Sequence, residues 1–294
     1  MKFVNEPTFC PIAPIGYSSL VKGANAHLVL AHLLDKEFQP EELHSQVDQY
    51  IQFVKAESAA GAFIIMDKSC YEYHKPHEPA KLLELADLCD AHAIVLPDYP
   101  FSPSQKTIDA AIEYASSFKQ AGYKTFFVPQ SETGDVEDWI SAYEWAANSE
   151  LIDIIGISIL GVPNAWNLID PAYSRVVAMQ TLLDRGLFNQ DKHHHFLGLN
   201  SGPALEIPTL LRMGVLDTID SSGPVWAGIN SHRYSTDYDS YQSVKKLKMV
   251  VDFFAPVVGD SDTTLRIIHN LQLTNSLFDK KVIDSSVKPW YAIE

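Results

Sequence analysis

Five polar side chains lie at or just after the ends of short apolar runs: Asp67, Asp98, Gln130, Ser158 and Asp220. A carboxylate fixed at the end of a strand can act as a nucleophile or as a general acid or base, or it can simply cap a turn. Capping is the commoner role for any one of them alone. Three carboxylates crowded together would raise the pKa of at least one, which separates an ionised nucleophile from a protonated acid. A glutamine beside two aspartates suits a heterocycle with both donor and acceptor edges.

The apolar runs alternate with helical patterns through most of the chain. The predicted strands are Phe9–Ile15, Ala26–Ala31, Ala62–Met66, Ala93–Leu96, Thr125–Val128, Ile152–Ile157, His195–Leu199 and Val215–Ile219. Eight strands with crossover helices predict an α/β fold, the (β/α)8 TIM barrel, in which the C-terminal strand ends share one mouth. An open doubly wound sheet is the alternative, but no Gly-x-Gly-x-x-Gly motif follows a strand. We expect one domain over residues 1–294, completed by C-terminal helices over Tyr238–Phe254 and Thr263–Phe278.

Several other features have an ordinary structural interpretation. The segments Leu160–Ile169 and Trp226–Asp239 resemble active-site loops. The run His193–His195 predicts a solvated loop leading into a strand, because neighbours in an extended segment point to opposite sides and cannot readily bind one ion. Arg175 lies in a predicted helix, where a surface salt bridge is expected. Glu206 could line the mouth or sit in the first turns of a helix.

Composition limits the class of protein. Cys10, Cys70 and Cys89 are widely spaced, which argues against a disulfide framework or a Cys-rich zinc site and fits a reducing cytoplasm. No apolar run reaches the roughly 20 residues of a membrane span. The N-terminus lacks the apolar core of a signal peptide. We therefore expect a cytoplasmic protein that is not in a membrane.

The net charge of -15 opposes binding of a polyanion over most of the surface. Contact with nucleic acid would require a local basic patch or a partner. The candidates are Arg233, Lys245–Lys248 and Lys280–Lys281, and each is more typical of a solvated face than of a phosphate clamp.

An ordered series of motifs resembles a known family. The motifs are Met66–Glu72, Leu96–Asp98, Phe127–Gln130, Ile154–Ser158, His195–Leu199 and Ile219–Pro224. They occur in the order seen in tRNA-guanine transglycosylases, and they are most similar to the compact phage-type relatives that put 7-deazaguanines into DNA. The resemblance runs from about Phe9 to Gly228. The Cys-rich zinc subdomain of the tRNA enzymes has no counterpart here.

The resemblance implies roles for individual residues. Asp220 matches the nucleophile that attacks C1′ of a guanosine and expels guanine, leaving a covalent glycosyl-enzyme as in a retaining glycosidase. Asp67 matches the aspartate that handles protons on the departing and incoming bases. Asp98 and Gln130 match groups that hydrogen-bond the purine-like edge. Gly156 matches a position where the backbone passes close to the base.

The remaining expected substrate contacts are Ser158, Tyr71 and Glu72. Ser158 ends the sixth strand, where the Gly-Gly of the tRNA enzymes is reduced to Gly156 followed by Ile157 and Ser158. Tyr71 and Glu72 lie in the loop after the third strand. Tyr71, Tyr99 and Phe101 are candidates for stacking on the base, with packing as the alternative for each. Glu72 fits the phage-type pattern.

The resemblance also implies partners. The incoming base would be a 7-deazaguanine similar to preQ0 or preQ1, with no cofactor and no metal. DNA is the first choice of acceptor and tRNA the alternative, in the host cytoplasm for a phage-encoded enzyme. The protein could form a homodimer or bind a partner protein, and such a partner could supply the missing nucleic-acid surface.

Two other classes of function stay open. One is a barrel hydrolase or lyase on a small metabolite, which the acidic surface favours. The other is a non-catalytic partner subunit of a transglycosylase, which the intact pair of Asp67 and Asp220 opposes.

Overall fold

The computed structural model describes residues 2–69, 77–168, 173–199, 203–235, 252–257 and 259–279. In these ranges eight strands form one parallel sheet: β1 Thr8–Pro11, β2 Ala26–Leu30, β3 Phe63–Asp67, β4 Ala93–Val95, β5 Lys124–Phe127, β6 Ile154–Ser158, β7 His193–Leu197 and β8 Thr218–Ser221. The strand order is β1-β8-β7-β6-β5-β4-β3-β2, and the outer strands β1 and β2 lie against each other. The sheet is therefore a nearly closed barrel, which confirms the predicted (β/α)8 TIM barrel of the α/β class.

Helices connect and cover the strands. Within the described ranges they are α1 His44–Ala59, α2 Pro79–Leu88, α3 Ser104–Gln120, α4 Val136–Asn148, α5 Gly161–Trp166, α6 Ser174–Asp184, α7 Pro203–Met213, α8 Gly223–Ile229 and α9 Ser261–Ser276. In α3 the buried residues Ile108, Ala111, Ala115 and Phe118 recur every three or four positions, so one stripe faces the barrel. No helix in this part of the chain is both long enough and apolar enough to cross a membrane.

The barrel is closed at its N-terminal end. Strands β2, β4 and β6 are buried along their whole length, as expected for parallel strands covered on both faces. The ring of Phe3 stacks on that of Phe63, with centroids 5.1 Å apart, and Lys2 Nζ lies 2.6 Å from Asp217 Oδ2. These contacts cover the N-terminal end of the barrel, and in this fold an active site is expected at the opposite end, where the strands end.

Several predictions about individual segments need correction. The first strand ends at Pro11, because Pro14 precedes a 3-10 helix over Ile15–Val21. The predicted loop Leu160–Ile169 contains α5, and Trp226–Asp239 begins inside α8. The run His193–His195 forms the first three residues of β7.

Some predicted segments lie outside the described residues. These include most of the helix predicted over Tyr238–Phe254, whose last residues form a turn instead of a helix, and the basic runs Lys245–Lys248 and Lys280–Lys281.

Candidate active site at the barrel mouth

Asp67 and Asp220 lie at the C-terminal ends of β3 and β8. Their charges interact, and burial raises the pKa of the Asp67 carboxyl above its ordinary value. The charge of Asp220 adds to this rise, whereas Lys68 and the backbone N–H of Ser69 oppose it. The Ser69 N–H donates to Asp67 Oδ2 over 2.7 Å. Burial beside a second carboxylate therefore favours the protonated form of Asp67.

One carboxylate oxygen of Asp220 is fixed by two donors. Nε2 of His195 and the backbone N–H of Gly198 each lie 3.0 Å from Oδ1. Gly198 has φ +76°, and a Cβ there would lie 3.0 Å from Ile159 Cγ2, so other residues fit this position poorly. In the described part of the chain, Oδ2 accepts no hydrogen bond. Asp220 thus has one clamped oxygen and one available for chemistry.

The His195 contact is the end of a hydrogen-bond chain through the barrel interior. The N–H of Phe3 donates to His193 Nδ1 over 3.4 Å, and His193 Nε2 lies 2.9 Å from Thr218 Oγ1. The same hydroxyl lies 2.7 Å from His195 Nδ1. We call the series Phe3, His193, Thr218, His195 and Asp220 the histidine chain.

The direction of the histidine chain follows from its ends. A backbone N–H only donates, so His193 accepts at Nδ1 and carries its proton on Nε2. Thr218 then accepts from His193 and donates to His195 Nδ1, which leaves the His195 proton on Nε2, facing Asp220. Burial lowers the pKa of His193 to about 2, and the nearby His195 contributes to the drop. The chain is therefore built from a neutral His193 and delivers a donor to Asp220.

The three histidines are fully buried, which corrects the predicted solvated loop. Their alternation was predicted correctly: His193 and His195 face the interior, whereas His194 faces the helices. Nε2 of His194 lies 2.8 Å from the Tyr143 hydroxyl, and its ring stacks on Phe188. His195 is a candidate site residue that the sequence reasoning missed, because its ring contacts Asp220. The available signal was a His-x-His pair at the start of a strand that is followed by a glycine and that precedes, along the chain, the strand carrying Asp220.

A second polar group lies beside the aspartate pair. Lys68 Nζ forms an ion pair with Asp98 Oδ1, and Gln130 Nε2 donates to Asp98 Oδ2 over 2.6 Å. The carboxylate fixes the orientation of the amide, so Gln130 Oε1 points away from it. That oxygen is buried and has no hydrogen-bond partner among the described residues. Since such an atom is costly to leave unpaired, it is a natural acceptor for a ligand N–H.

The end of β6 supports Gln130. Ser158 Oγ accepts hydrogen bonds from the N–H groups of Leu160 and Gly161, over 3.0 and 3.1 Å, and so holds the start of α5. A Cβ at Gly161 would lie 2.7 Å from Gln130 Oε1, so this residue must be small. Gly156 lies deeper in the barrel, where any side chain would collide with the ring of Phe126. Packing therefore gives one reason for that glycine.

A buried ion pair braces the same region. Arg175 Nε and Nη2 each lie 2.8 Å from a carboxylate oxygen of Glu206, and the Arg175 side chain is fully buried. This corrects the predicted surface salt bridge, and it commits the Glu206 carboxylate to a pair. Arg175 Nη1 also donates to the Leu197 carbonyl over 3.1 Å. That carbonyl belongs to the same peptide unit as the Gly198 N–H that clamps Asp220, so Arg175 orients the clamp.

Among the described candidates, the structure brings Asp67 close to Asp220 and Asp98 into contact with Gln130. Ser158 holds the start of α5 beside Gln130, whereas Gly156 lies deeper in the barrel. Tyr71 and Glu72 lie outside the described residues. Phe101 is exposed on the rim, and Lys106 Nζ lies 4.1 Å above the Tyr99 ring. No group of three or more His, Cys, Asp or Glu in the described ranges is placed to hold a metal ion. Comparisons of the chain with protein-family models and with curated proteins found no match.

Proposed function

We propose that this protein exchanges guanine in a polynucleotide, preferably DNA, for a 7-deazaguanine base through a covalent glycosyl intermediate on Asp220. The observation that carries the proposal is that two neighbouring carboxylates, those of Asp220 and Asp67, have different hydrogen-bonding and electrostatic environments. Asp220 receives two N–H donors on Oδ1 and keeps Oδ2 for bonding, whereas burial raises the pKa of Asp67. One anionic nucleophile and one proton carrier are what a double displacement at C1′ requires.

The first half of the reaction opens the bond between sugar and base. Asp220 Oδ2 bonds to C1′ while the C1′–N9 bond breaks, and the departing guanine takes the proton of Asp67. The donors on Oδ1 hold the carboxylate in place as its charge is consumed. In the second half, N9 of the incoming base attacks C1′, its proton passes to Asp67, and the bond to Oδ2 breaks. Protons and charge balance over the cycle, and no redox step is involved.

The polar group around Gln130 supports a guanine-like substrate. Guanine and 7-deazaguanine present the same N1–H and N2–H donors, and they differ at position 7, on another edge. The unpaired Gln130 Oε1 is a buried acceptor that suits such a donor. Asp98 lies beside it, engaged by Lys68 and Gln130. A site that reads only the shared edge would accept both bases, as an exchange reaction needs.

The test is incorporation of labelled preQ0, preQ1 or guanine into DNA and into tRNA by the purified protein. Asp220→Asn should abolish incorporation, and Asp67→Asn should lower it by at least ~100-fold, since general acid–base catalysis contributes about 10²–10⁴-fold. Asp217→Asn is a matched control, because Asp217 pairs with Lys2 at the opposite end of the barrel. Undiminished incorporation by Asp220→Asn would sink the proposal.

Two further measurements separate the alternatives. When the protein is incubated with the polynucleotide in the absence of an incoming base, the covalent ester between Asp220 and C1′ should accumulate. The protein–polynucleotide adduct should then be visible on a denaturing gel. Thermal stabilisation by a deazaguanine base would favour the proposal over a hydrolase or lyase acting on an unrelated metabolite. Binding of base and polynucleotide with neither a trapped adduct nor exchange would favour the silent-subunit alternative.

A further inference from the structure

A cavity of about 450 Å³ lies outside the barrel mouth, between α9 and the loop that follows α8. Its lining includes Arg233, Arg266 and His269, together with Asp262 and the exposed Leu265. Two guanidinium groups therefore face one carboxylate within the described lining. Such a balance stands out in a chain with a net charge of -15.

The two arginines differ from most other described cations. Lys36, Lys119 and Arg185 are typical of the rest, since each pairs with a carboxylate within 4.0 Å. Across the described ranges, neither Arg233 nor Arg266 has a carboxylate oxygen within that distance. Asp260 is a further carboxylate near Arg266. Hydrogen bonds from Thr263 lower the pKa of Asp260, and the charge of Arg266 adds to this. Within the described ranges, however, Asp260 forms no ion pair with either arginine. Guanidinium groups without a direct ion pair in a concave site are a usual recognition element for phosphate.

Hydrogen bonds hold both arginines in position. Arg266 donates from Nε to the Gly228 carbonyl over 3.1 Å and from Nη2 to Thr263 Oγ1 over 2.7 Å. His269 Nε2 donates to the Tyr234 carbonyl over 2.9 Å, so its Nδ1 accepts from Arg233 Nη2 over 3.3 Å. These bonds leave Nη1 of each arginine without a partner in the described part of the chain. Side chains already ordered lose less entropy when they bind a ligand.

The cavity is tied to the strand that carries Asp220. Gly223 begins α8 directly after β8, and a Cβ built there would lie 3.4 Å from the Tyr234 hydroxyl. Asn270 of α9 accepts from the Tyr234 N–H over 2.7 Å and donates to the Pro224 carbonyl over 3.1 Å. The loop that bears Arg233 is thus fastened to the rim next to Asp220.

We propose that the cavity formed by Arg233, Arg266 and His269 binds a phosphodiester group of the polynucleotide, next to the nucleotide presented to Asp220. The identity of the ligand as a polynucleotide rests on the proposed function. The cavity supplies a local positively charged site on a surface that otherwise repels nucleic acid. It contacts the phosphate backbone of the polynucleotide and does not recognise the base sequence.

The test measures binding of a fluorescent oligonucleotide, single-stranded and duplex, by anisotropy across a series of salt concentrations. The reference is Asp220→Asn, which cannot react. Adding Arg233→Gln and Arg266→Gln should weaken binding at least about tenfold, equally for all sequences. The salt slope should fall by roughly 0.7–0.9 for each arginine that no longer neutralises a phosphate. Arg185→Gln is the matched control, because it removes an exposed arginine paired with Glu137 elsewhere on the surface.

The outcomes separate this proposal from the proposed function. An unchanged affinity and salt slope in the double arginine variant, or a reference protein that binds no polynucleotide, would overturn the cavity assignment. Weakened binding in that variant supports the assignment of the cavity as a phosphate site. Absence of base exchange by the wild-type protein would refute the exchange reaction but not this assignment. If the double arginine variant exchanges base and binds the polynucleotide as well as the wild type does, the exchange reaction is supported and the assignment of the cavity is refuted.

Discussion

Replacing Thr218 with valine tests the histidine chain most directly. Thr218 is fully buried, and its hydroxyl serves both His193 Nε2 and His195 Nδ1. Valine keeps the volume and removes both hydrogen bonds. Each buried ring nitrogen left unpaired costs about 1–3 kcal/mol, so the free energy of unfolding should fall by about 2–6 kcal/mol. Thr218→Ser is the control, because it keeps the hydroxyl and loses only a methyl group, at about 1 kcal/mol.

The chemical consequence appears at Asp220. Without a donor at Nδ1, the proton of His195 is no longer confined to Nε2, and Asp220 can lose one of its two donors. A hydrogen bond to a charged group contributes about 1.5–3 kcal/mol, which corresponds to about 10–150-fold in the rate of the proposed exchange. Thr218→Val should therefore exchange base about 10–150-fold more slowly than Thr218→Ser, with a changed dependence of kcat on pH.

The assays are urea denaturation, exchange kinetics across pH, and nitrogen-detected NMR of the histidine rings. NMR reads the tautomer without any reference to activity: His195 should carry its proton on Nε2 in the wild type and in Thr218→Ser. A His195 protonated on Nδ1 in the wild type would refute the direction assigned to the chain. Equal exchange rates and pH profiles in the serine and valine variants would refute its role at Asp220.

Three further outcomes are expected. Asp67→Asn should stabilise the protein increasingly as pH rises above 3.8, the ordinary pKa of an aspartate, because the raised pKa of Asp67 in the folded state makes its ionisation there unfavourable. Urea denaturation from pH 4 to 8 measures this effect. A difference in the free energy of unfolding between variant and wild type that does not change with pH would contradict it. Burial lowers the pKa values of His193 and His194 to about 2 and about 3, so below 6.5 the unfolded state binds protons that the folded state does not. The free energy of unfolding should then fall by about 1.4 kcal/mol per pH unit for each ring, and His194→Phe should remove one such increment from the measured slope. Arg175→Met should lower the free energy of unfolding by about 3–5 kcal/mol, because it leaves the buried Glu206 carboxylate without its partner. Adding Glu206→Leu should recover most of this stability in thermal melts. A double variant no more stable than the single one would show that the unpaired carboxylate is not the cause.

The barrel was predictable because its signals are local. Apolar runs such as Phe63–Met66 bury every residue, and a carboxylate that follows such a run must lie at the sheet's C-terminal edge. That reasoning placed Asp67, Asp98 and Gln130 at one mouth without any knowledge of their contacts. The observed strand boundaries differ from the predicted ones by at most four residues, with the largest difference at the end of β1, where Pro11 is the last residue of the strand.

The buried polar contacts were not predictable, because their partners are distant in sequence. His193 meets Thr218 after 25 residues, and His194 meets Tyr143 across 51. A histidine triplet without its partners has the composition of a solvated loop, and the same holds for Arg175, whose partner Glu206 lies 31 residues away. Burial of such groups depends on complete pairing, which only the folded chain reveals.

The different roles proposed for the two aspartates follow from where the N–H donors are. The histidine chain begins at a backbone N–H that can only donate, so each link passes a donor onward and Asp220 must receive one. The Gly198 N–H adds a second donor, held in place by Arg175 through the peptide it shares with Leu197. Asp67 lies in the same mouth and accepts from one backbone N–H, that of Ser69. Burial and the charge of Asp220 outweigh this donor and the charge of Lys68, so the pKa of Asp67 rises. The neutral histidine chain and the Gly198 N–H thus keep Asp220 as a hydrogen-bond acceptor. Asp67 is then the residue that carries the proton for the proposed exchange.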